Sequence, residues 1–242
     1  TGEALARQAV EAAAQGYRWI KFDPFGYSPD GVWKGWPLRG ALPSETVREI
    51  CSRVAAVRDA VGGQMQIILE NHCLTDAQSA VTLIRALEGY EEVCTPINHA
   101  VWADVRKHTD AGLCTGEKLV TQSGFLPYIV GRTVDMLQPD LGICGGVSEI
   151  MPICAMAELY DIGVSLHTCH SPISIAASLQ VEAVLPNFCV HEVHKSALLE
   201  ENIALGSEPL CVKNGKYTLP EGNGIGVELS DWALRNCERL VF

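Results

Sequence analysis

The sequence predicts an α/β fold in the form of a closed TIM-type (β/α) barrel. Patterns typical of helices and of short buried strands alternate along the 242 residues, as in parallel strands covered by helices. No glycine-rich phosphate turn follows the first strand, although a doubly wound nucleotide-binding sheet would need one. Charged and histidine side chains instead follow the ends of successive strands. In a barrel those ends form one rim, where active sites lie, so the barrel is preferred over the open sheet.

Seven apolar segments are predicted as strands, because each is short and is bounded by turn-like or helix-like sequence. They are YRWIKFD (17–23), MQIILEN (65–71), YEEV (90–93), LCTGE (113–117), VDMLQPD (134–140), IGVSLH (162–167) and NFCVHE (187–192). A barrel of this type closes with eight strands, so one strand is missing from this count.

Predicted helices fill the intervals between these strands. The first covers about 3–15 and ends before Gly16, a residue suited to the position after a helix. The second begins at Pro43-Ser44-Glu45, with Ser44 as its candidate N-cap. The second helix ends near 61, and others cover about 75–88, 98–108, 123–131 and 171–185; residues 145–161 are predicted as a loop followed by a helix. We assign residues 1–194 to a partial barrel domain and 195–242 to a loop-rich C-terminal tail.

The charge balance narrows the choice of partners. The chain has 18 Lys and Arg against 29 Asp and Glu, giving a formal net charge of −11. Nucleic acids and anionic membranes are bound by basic surfaces, so we expect neither as a partner. An anionic substrate would have to be held locally, by a metal cation or by a few basic side chains.

The number and spacing of the cysteines indicate whether the protein is found in a reducing or an oxidising compartment. None of the ten cysteines forms a CxxC pair, which disfavours a zinc ribbon or a thioredoxin motif. Most lie in apolar runs, so we predict buried free thiols in a reducing compartment. There is no signal peptide and no run of 18 apolar residues, and a soluble cytoplasmic protein is therefore expected.

Three glutamates indicate a metal site. Glu70, Glu91 and Glu117 end three consecutive predicted strands, with spacings of 21 and 26 residues that suit repeated strand–helix units. Carboxylates that converge at a barrel rim repel one another unless a cation lies between them, and oxygen ligands favour Mg²⁺ over zinc. A single such glutamate would be interpreted as a surface charge. Three on adjacent strands favour the metal site.

Asp140 and His167 indicate a general base. Each ends a predicted strand, and the ends of adjacent strands can hydrogen-bond. A carboxylate on one ring nitrogen fixes the histidine tautomer and raises the basicity of the other nitrogen. A lone histidine would more often be an ordinary core residue, but the aspartate and the nearby candidate metal ligands favour the catalytic interpretation.

Two further pairs share strand faces. Glu70 and His72 are two residues apart, as are Lys21 and Asp23, and in a strand such residues point to the same side. His72 could therefore approach the same substrate as the metal site. The other five histidines are expected in solvent or loops: His99, His108, His170, His191 and His194.

These residues occur in motifs that resemble the enolase superfamily. The matching stretches are GYRWIKFDPFG, ILENHC, EEV, CTGEKL, LQPDLGICGGVSE, LHTCHSPISIAASL and PNFCVHE, in the order that the family has them, from about residue 16 to 192. The resemblance is to the mandelate-racemase-like branch, and most of all to its acid-sugar dehydratases of the galactonate and gluconate type.

The resemblance implies a role for each candidate residue. One Mg²⁺ per subunit would be bound by Glu70, Glu91 and Glu117. Asp140 and His167 would form the base that takes the C2 proton of a sugar acid, and His72 would protonate the departing 3-hydroxyl. Lys21, Asp23 and Glu192 would contact the substrate. The product would be a 2-keto-3-deoxy acid, formed through an enediolate that the cation stabilises.

The resemblance also implies a (β/α)₇β barrel that here lacks its first strand and the N-terminal α+β capping domain, against which the tail would also pack. Homo-oligomers are common in the family and are expected. Two alternatives remain open at this stage. One is a racemase, epimerase or lactone cycloisomerase of the same superfamily, which uses the same metal and base but keeps the hydroxyl. The other is a truncated, non-catalytic relative.

Overall fold

The chain forms two compact units. The computed structural model describes residues 1–26, 32, 38–87, 98–169 and 171–238. The first unit contains Thr1–Thr115 and Leu126–Met136, and the second contains Gly116–Phe125 and Leu137–Phe242. The predicted strand at 90–93 lies outside the described residues.

Helices and short strands alternate along the described chain, which confirms the α/β prediction. The helices are α1 (Gly2–Ala14), α2 (Ser44–Val61), α3 (Ala77–Ala86), α4 (His99–Arg106), α5 (Thr121–Val130), α6 (Leu141–Cys144), α7 (Val147–Glu158), α8 (Pro172–Glu182), α9 (Glu200–Ile203) and α10 (Asp231–Asn236). The strands are β1 (Trp19–Phe22), β2 (Gln66–Leu69), β3 (Cys114–Thr115), β4 (Met136–Leu137) and β5 (Gly163–Val164). Single-turn 3₁₀ helices cover Gly62–Gln64 and Lys195–Leu198.

In the first unit, β1 and β2 are parallel neighbours. Trp19 is in register with Gln66 and Phe22 with Leu69, and the amide of Glu70 continues the ladder by donating to the carbonyl of Phe22 at 2.9 Å. The core behind this pair comes from the apolar run that predicted β2, since Ile67, Ile68 and Leu69 are all buried. The ladder therefore sets the ends of β1 and β2 side by side.

In the second unit, parallel pairing continues as short contacts. The amide of Ser165 donates to Leu137, and isolated parallel bridges join Asp140 to His167 and Val164 to Phe188. The predicted last strand, 187–192, is thus present as a bridge and not as a full strand. Pro139 explains why β4 ends early, because proline has no N–H to donate to a ladder.

The C-terminal tail packs on α8. Ile175 and Ala176 of α8 form one buried apolar cluster with Ala197, Leu210 and Val227 of the tail. A side-chain hydrogen bond also links the two, because Gln180 Nε2 donates to the carbonyl of Pro220 at 2.8 Å. The tail therefore belongs to the core of the second unit despite its high loop content.

The cysteine prediction is correct in part. All nine cysteines in the described residues are free thiols, but only Cys114, Cys144 and Cys154 are buried, and Cys189 and Cys211 are exposed. An apolar run in the sequence does not say which of its side chains faces the core. Across the described ranges, no helix is long and apolar enough to cross a bilayer.

Helix caps differ between α2 and α3. Ser44 is the first residue of α2 and not its N-cap; Pro43 occupies the cap position and provides no side-chain hydrogen bond. At α3, the Asp76 carboxylate accepts hydrogen bonds from the amide of Ser79 at 2.9 Å and from the amide of Gly40 at 2.8 Å. Asp76 thus caps α3 and fixes the segment that leads into α2.

We predict that Asp76→Ala lowers the free energy of unfolding by about 1–2 kcal/mol, the usual cost of losing a side-chain N-cap. Asp76→Asn is the matched control, because asparagine caps helices about as well as aspartate but has one oxygen for two donors. Urea unfolding followed by circular dichroism should rank stability as wild type, Asn, then Ala. Equal stability of all three proteins would show that the cap contributes nothing.

Candidate active site

The first cluster of candidate residues consists of Lys21, Asp23, Glu70 and His72, at the ends of β1 and β2. Lys21 Nζ lies 2.8 Å from Glu70 Oε2, and both side chains are mostly buried. The β1–β2 register causes this contact: Lys21 is level with Ile68, so its long side chain reaches along the strand to the residue just past β2. The cluster therefore has a charged pair in a largely desolvated place.

Glu70 is held in its ionised form. Its Oε1 accepts hydrogen bonds from the amides of Asn71 and His72, each at 2.9 Å. Burial raises the pKa of Glu70, but the Lys21 ammonium and the amide hydrogen bond from His72 outweigh burial and lower the pKa from 4.5 to about 2. Glu70 is consequently a carboxylate at neutral pH.

Asp23 holds His72. His72 Nδ1 lies 3.0 Å from Asp23 Oδ2; the histidine is about half exposed (47 %), whereas the aspartate is buried (8 %). The other oxygen of Asp23 accepts from the amides of Phe25 at 2.6 Å and Gly26 at 3.0 Å. With Nδ1 engaged by a fixed carboxylate, proton exchange with a ligand falls to Nε2.

The prediction that Glu70 and His72 share one face of a strand is wrong. β2 ends at Leu69, and His72 has φ = 48°, in the left-handed region. The turn is fixed by Asn71, which is fully buried. Its Oδ1 accepts from the amide of Leu74 at 3.1 Å, and its Nδ2 donates to Thr75 at 2.8 Å. Sequence reasoning missed Asn71, although an Asn between Glu and His after a buried strand is itself a turn signal.

Arg53 is a second residue that the sequence analysis missed. It lies on the buried side of α2, and its guanidinium donates to the carbonyl of Pro24 at 2.9 Å. This bond supports the turn after β1 that contains Asp23. An arginine within an amphipathic helix gives no sequence signal for such a contact.

The second cluster consists of Glu117, Asp140, His167, Thr168 and Glu192. Its centre is the expected contact between Asp140 and His167: Nδ1 of the histidine lies 2.7 Å from Oδ2 of the aspartate. Asp140 is fully buried, and its Oδ1 accepts from the amide of Gly142 at 2.7 Å. A buried carboxylate fixed in this way keeps the ring proton on Nδ1, so Nε2 is the nitrogen that can take a proton.

Glu117 faces the other nitrogen of the same ring. One of its oxygens lies 3.4 Å from His167 Nε2, and the other lies 3.2 Å from Lys118 Nζ. Gly116 sets this position, because a Cβ there would lie 2.5 Å from the carbonyl carbon of Gln138. Once protonated, His167 would have a carboxylate on each side.

Glu192 is joined to the segment that follows His167. The amide of Thr168 donates to Glu192 Oε2 at 3.2 Å, and the Thr168 hydroxyl hydrogen-bonds to the Glu192 carbonyl. Cys169 lies nearby: burial and then the negative charges of Asp140, Glu192 and Glu117 raise its pKa. Cys169 is therefore a neutral thiol and a poor nucleophile.

The predicted metal ligands are only partly described. Glu91 lies outside the described residues. Within the described ranges, no group of three or more His, Cys, Asp or Glu side chains is arranged to hold a metal ion. The donors nevertheless suit Mg²⁺, because they are carboxylate oxygens and because Glu70 is ionised at neutral pH. In this structure Lys21 neutralises that charge.

Two of the histidines expected in solvent or loops are partly buried and pack against other side chains instead. The ring of His99 packs edge-on against Tyr128, with centroids 5.8 Å apart. His191 contacts the buried Glu182 at 2.6 Å. His194 is exposed, as expected, and His170 lies outside the described residues. In an extended segment neighbouring side chains face opposite ways, so His191 and Glu192 could not both point to the same side.

The low pKa of Glu70 predicts acid sensitivity. A carboxyl whose pKa falls from 4.5 in the unfolded chain to about 2 in the folded protein contributes stability above pH 4.5 and loses it as the pH falls towards 2. We expect the metal-free wild type to lose up to about 3 kcal/mol more than Glu70→Gln over this window. Urea unfolding of both proteins at each pH measures the difference.

Lys21→Met provides the background control for this measurement. In this background the ammonium is absent. The pH dependence of the free energy of unfolding should therefore differ less between Lys21→Met alone and the double variant that also carries Glu70→Gln. An unchanged difference in that background would show that Lys21 is not the cause.

Comparison with known proteins agrees with the resemblance seen in the sequence. A family model described as enolase C-terminal domain-like, a TIM-barrel-type α/β fold, matches residues 4–233. Among curated relatives, D-gluconate dehydratase of Thermoproteus tenax is 32 % identical over 237 residues, covering 96 % of this chain and 46 % of that protein. D-xylonate dehydratase of Haloferax volcanii is 31 % identical over 238 residues, covering 94 % and 56 %.

Comparison with solved structures also indicates the enolase superfamily. An enolase superfamily member from Salmonella Typhimurium has a TM-score of 0.94 and 36 % identity, with 97 % of this chain and 61 % of that chain covered. The chain spans about half the length of the curated relatives it matches. The missing first strand and capping domain remain predictions. On the strength of the family match and of relatives above 30 % identity, the chain belongs to the enolase C-terminal domain-like family of the enolase superfamily.

Proposed function

We propose that this chain catalyses the Mg²⁺-dependent dehydration of a sugar acid, an aldonate or an aldarate, as a carbon–oxygen lyase. The C2–H and C3–OH bonds break, water leaves, and the resulting enol tautomerises to a 2-keto-3-deoxy acid. The observation that carries the proposal is the hydrogen bond between buried Asp140 and His167, in a chain whose relatives include sugar-acid dehydratases.

His167 is the proposed base. Nδ1 is held by Asp140 at 2.7 Å, so Nε2 takes the C2 proton and the imidazolium is stabilised by the fixed carboxylate. Glu117 lies 3.4 Å from Nε2, so a carboxylate that is proposed to hold the cation also lies next to the base. The interaction of the ring with Asp140 grows stronger as the proton arrives, which is what a base catalyst requires.

His72 is the proposed acid for the departing hydroxyl. Asp23 engages Nδ1 at 3.0 Å, and the half-exposed ring keeps its other edge accessible to a ligand. Hydroxide is a poor leaving group, so a proton delivered to the 3-hydroxyl lowers the barrier for C–O cleavage. Lys21 and Asp23 in the first cluster, and Glu192 in the second, are proposed to bind the polar groups of the sugar acid.

Glu70, Glu91 and Glu117 are the proposed ligands of one Mg²⁺ ion per subunit. When bound, Mg²⁺ would neutralise the charge that develops on the substrate carboxylate as the C2 proton leaves. The protein itself carries a formal net charge of −11, so a local cation also offsets its repulsion of an anionic substrate.

The proposal extends to the ligand, the binding partners, the oligomeric state and the cellular location of the protein. We propose a small-molecule sugar acid as the ligand, with neither nucleic acid nor a membrane as partner. A homo-oligomer in the cytoplasm fits the family resemblance. Size-exclusion chromatography with light scattering measures the assembly directly.

We predict that the protein with Mg²⁺ converts at least one aldonate or aldarate to a 2-keto-3-deoxy acid. A panel that starts with D-gluconate and D-xylonate, assayed by semicarbazone formation or by NMR, makes the test. EDTA should abolish turnover, and added Mg²⁺ should restore it. Failure of every substrate, with the protein folded and Mg²⁺ present, would leave the truncated non-catalytic relative as the better description.

Exchange of the C2 proton of the substrate with solvent should distinguish the role of His167 from that of His72. In D₂O, His167→Gln should lose both dehydration and exchange of the C2 proton, because the base is gone. His72→Asn should lose dehydration and keep C2 exchange, because only the acid is gone. C2 exchange in wild type without release of water would instead indicate a racemase or epimerase.

A further inference from the structure

We propose that Glu182 and His191 form a clamp that positions Glu192 and, through the hydrogen bonds between Thr168 and Glu192, the segment that follows His167, making both members positioning residues. The inference rests on the proposed roles of His167 and Glu192. Neither Glu182 nor His191 belongs to the clusters described above, and the proposed reaction does not use either one directly.

Glu182 contacts the 187–192 segment of the second unit. Glu182 is the last residue of α8 and is buried. Its Oε2 lies 2.6 Å from His191 Nδ1. Its Oε1 is buried and has no hydrogen-bond partner among the described residues. The contact with His191 therefore ties the 187–192 segment to α8.

His191 directly precedes Glu192 of the second cluster. Glu192 in turn is joined to the segment after His167, because the amide of Thr168 donates to Glu192 Oε2 at 3.2 Å. Glu192 is thus held on one side by the contact between Glu182 and His191 and on the other side by Thr168.

Packing restrains the clamp further. The ring of His191 meets the ring of Tyr217 edge-on, with centroids 5.3 Å apart and planes at 89°. Burial raises the pKa of Glu182, and the hydrogen bond and charge of His191 oppose that effect. A buried ion-pairing group is weak evidence for stability, since well-packed apolar residues often replace such pairs without loss. Positioning explains its presence better.

Three variants test the clamp. Glu182→Leu releases His191 and the segment before Glu192, so kcat/KM should fall by about 10–100-fold, as for other residues that orient functional groups. His191→Leu removes the other member of the same contact, so it should lower kcat/KM to a similar degree, with KM rising by a larger factor than that by which kcat falls. His191→Asn keeps a donor near the position of Nδ1 and should restore most of the lost activity.

Gln180→Ala is the matched control. Gln180 lies on the same helix, and its side chain donates to the carbonyls of Pro220 and Ile225 in the tail and not to His191. Its loss should disturb α8 to a similar degree and leave kcat and KM unchanged. An equal kinetic effect in Gln180→Ala and Glu182→Leu would show that general loosening of α8, and not the clamp, is responsible.

Amide hydrogen exchange tests the clamp without relying on turnover. In Glu182→Leu, protection should be lost at Thr168 but retained in α2, and Gln180→Ala should retain all of it. If wild type dehydrates no sugar acid but exchange responds as described, the proposed function fails and the clamp stands. If wild type is active and folded Glu182→Leu changes neither kinetics nor exchange, the clamp is wrong. If Glu182→Leu does not fold, the comparison of His191→Leu with His191→Asn decides. The clamp is wrong if His191→Asn does not restore the activity that His191→Leu loses.

Discussion

A buried carboxylate needs a partner, and this requirement organises the part of the chain that the structure describes. Removing an ionised group from water costs several kcal/mol unless hydrogen bonds or an opposite charge replace the lost hydration. Glu70 is held by Lys21 and by two amides, and Asp140 by His167 and an amide. Each partner is fixed by a parallel strand end, so the fold and the placement of charge cannot be separated.

The two clusters use the same pairing in different environments. In each, an aspartate holds Nδ1 of a histidine: Asp23 holds His72, and Asp140 holds His167. His72 is 47 % exposed, whereas His167 is 14 % exposed and has a carboxylate near its second nitrogen. Similar pairs in unequal surroundings are how proteins obtain an acid and a base from one residue type. This difference supports the separate roles proposed for the two rings.

The sequence predicts the strands and the polar residues that follow them, because both depend on local pattern: apolar runs define β1 and β2, and Lys21, Glu70 and His167 come at or just after strand ends. It does not predict the Lys21–Glu70 ion pair, which depends on the register between two strands, with Trp19 opposite Gln66. Nor does it predict the burial of His191, because alternation alone does not say which neighbour faces the core. Asn71 escaped notice because a turn, and not a continued strand, places His72.

The central proposal is that one Mg²⁺ ion is bound by Glu70, Glu91 and Glu117. Isothermal titration calorimetry on the folded protein tests it most directly. Glu117→Gln removes a proposed ligand charge, and Glu158→Gln on the exposed surface of α7 is the control of equal charge change. We expect one ion to bind per chain with micromolar-to-millimolar affinity, lost in Glu117→Gln and kept in Glu158→Gln. A folded wild type that binds no Mg²⁺, or a Glu117→Gln protein that binds it as well as wild type, would contradict the proposed metal site.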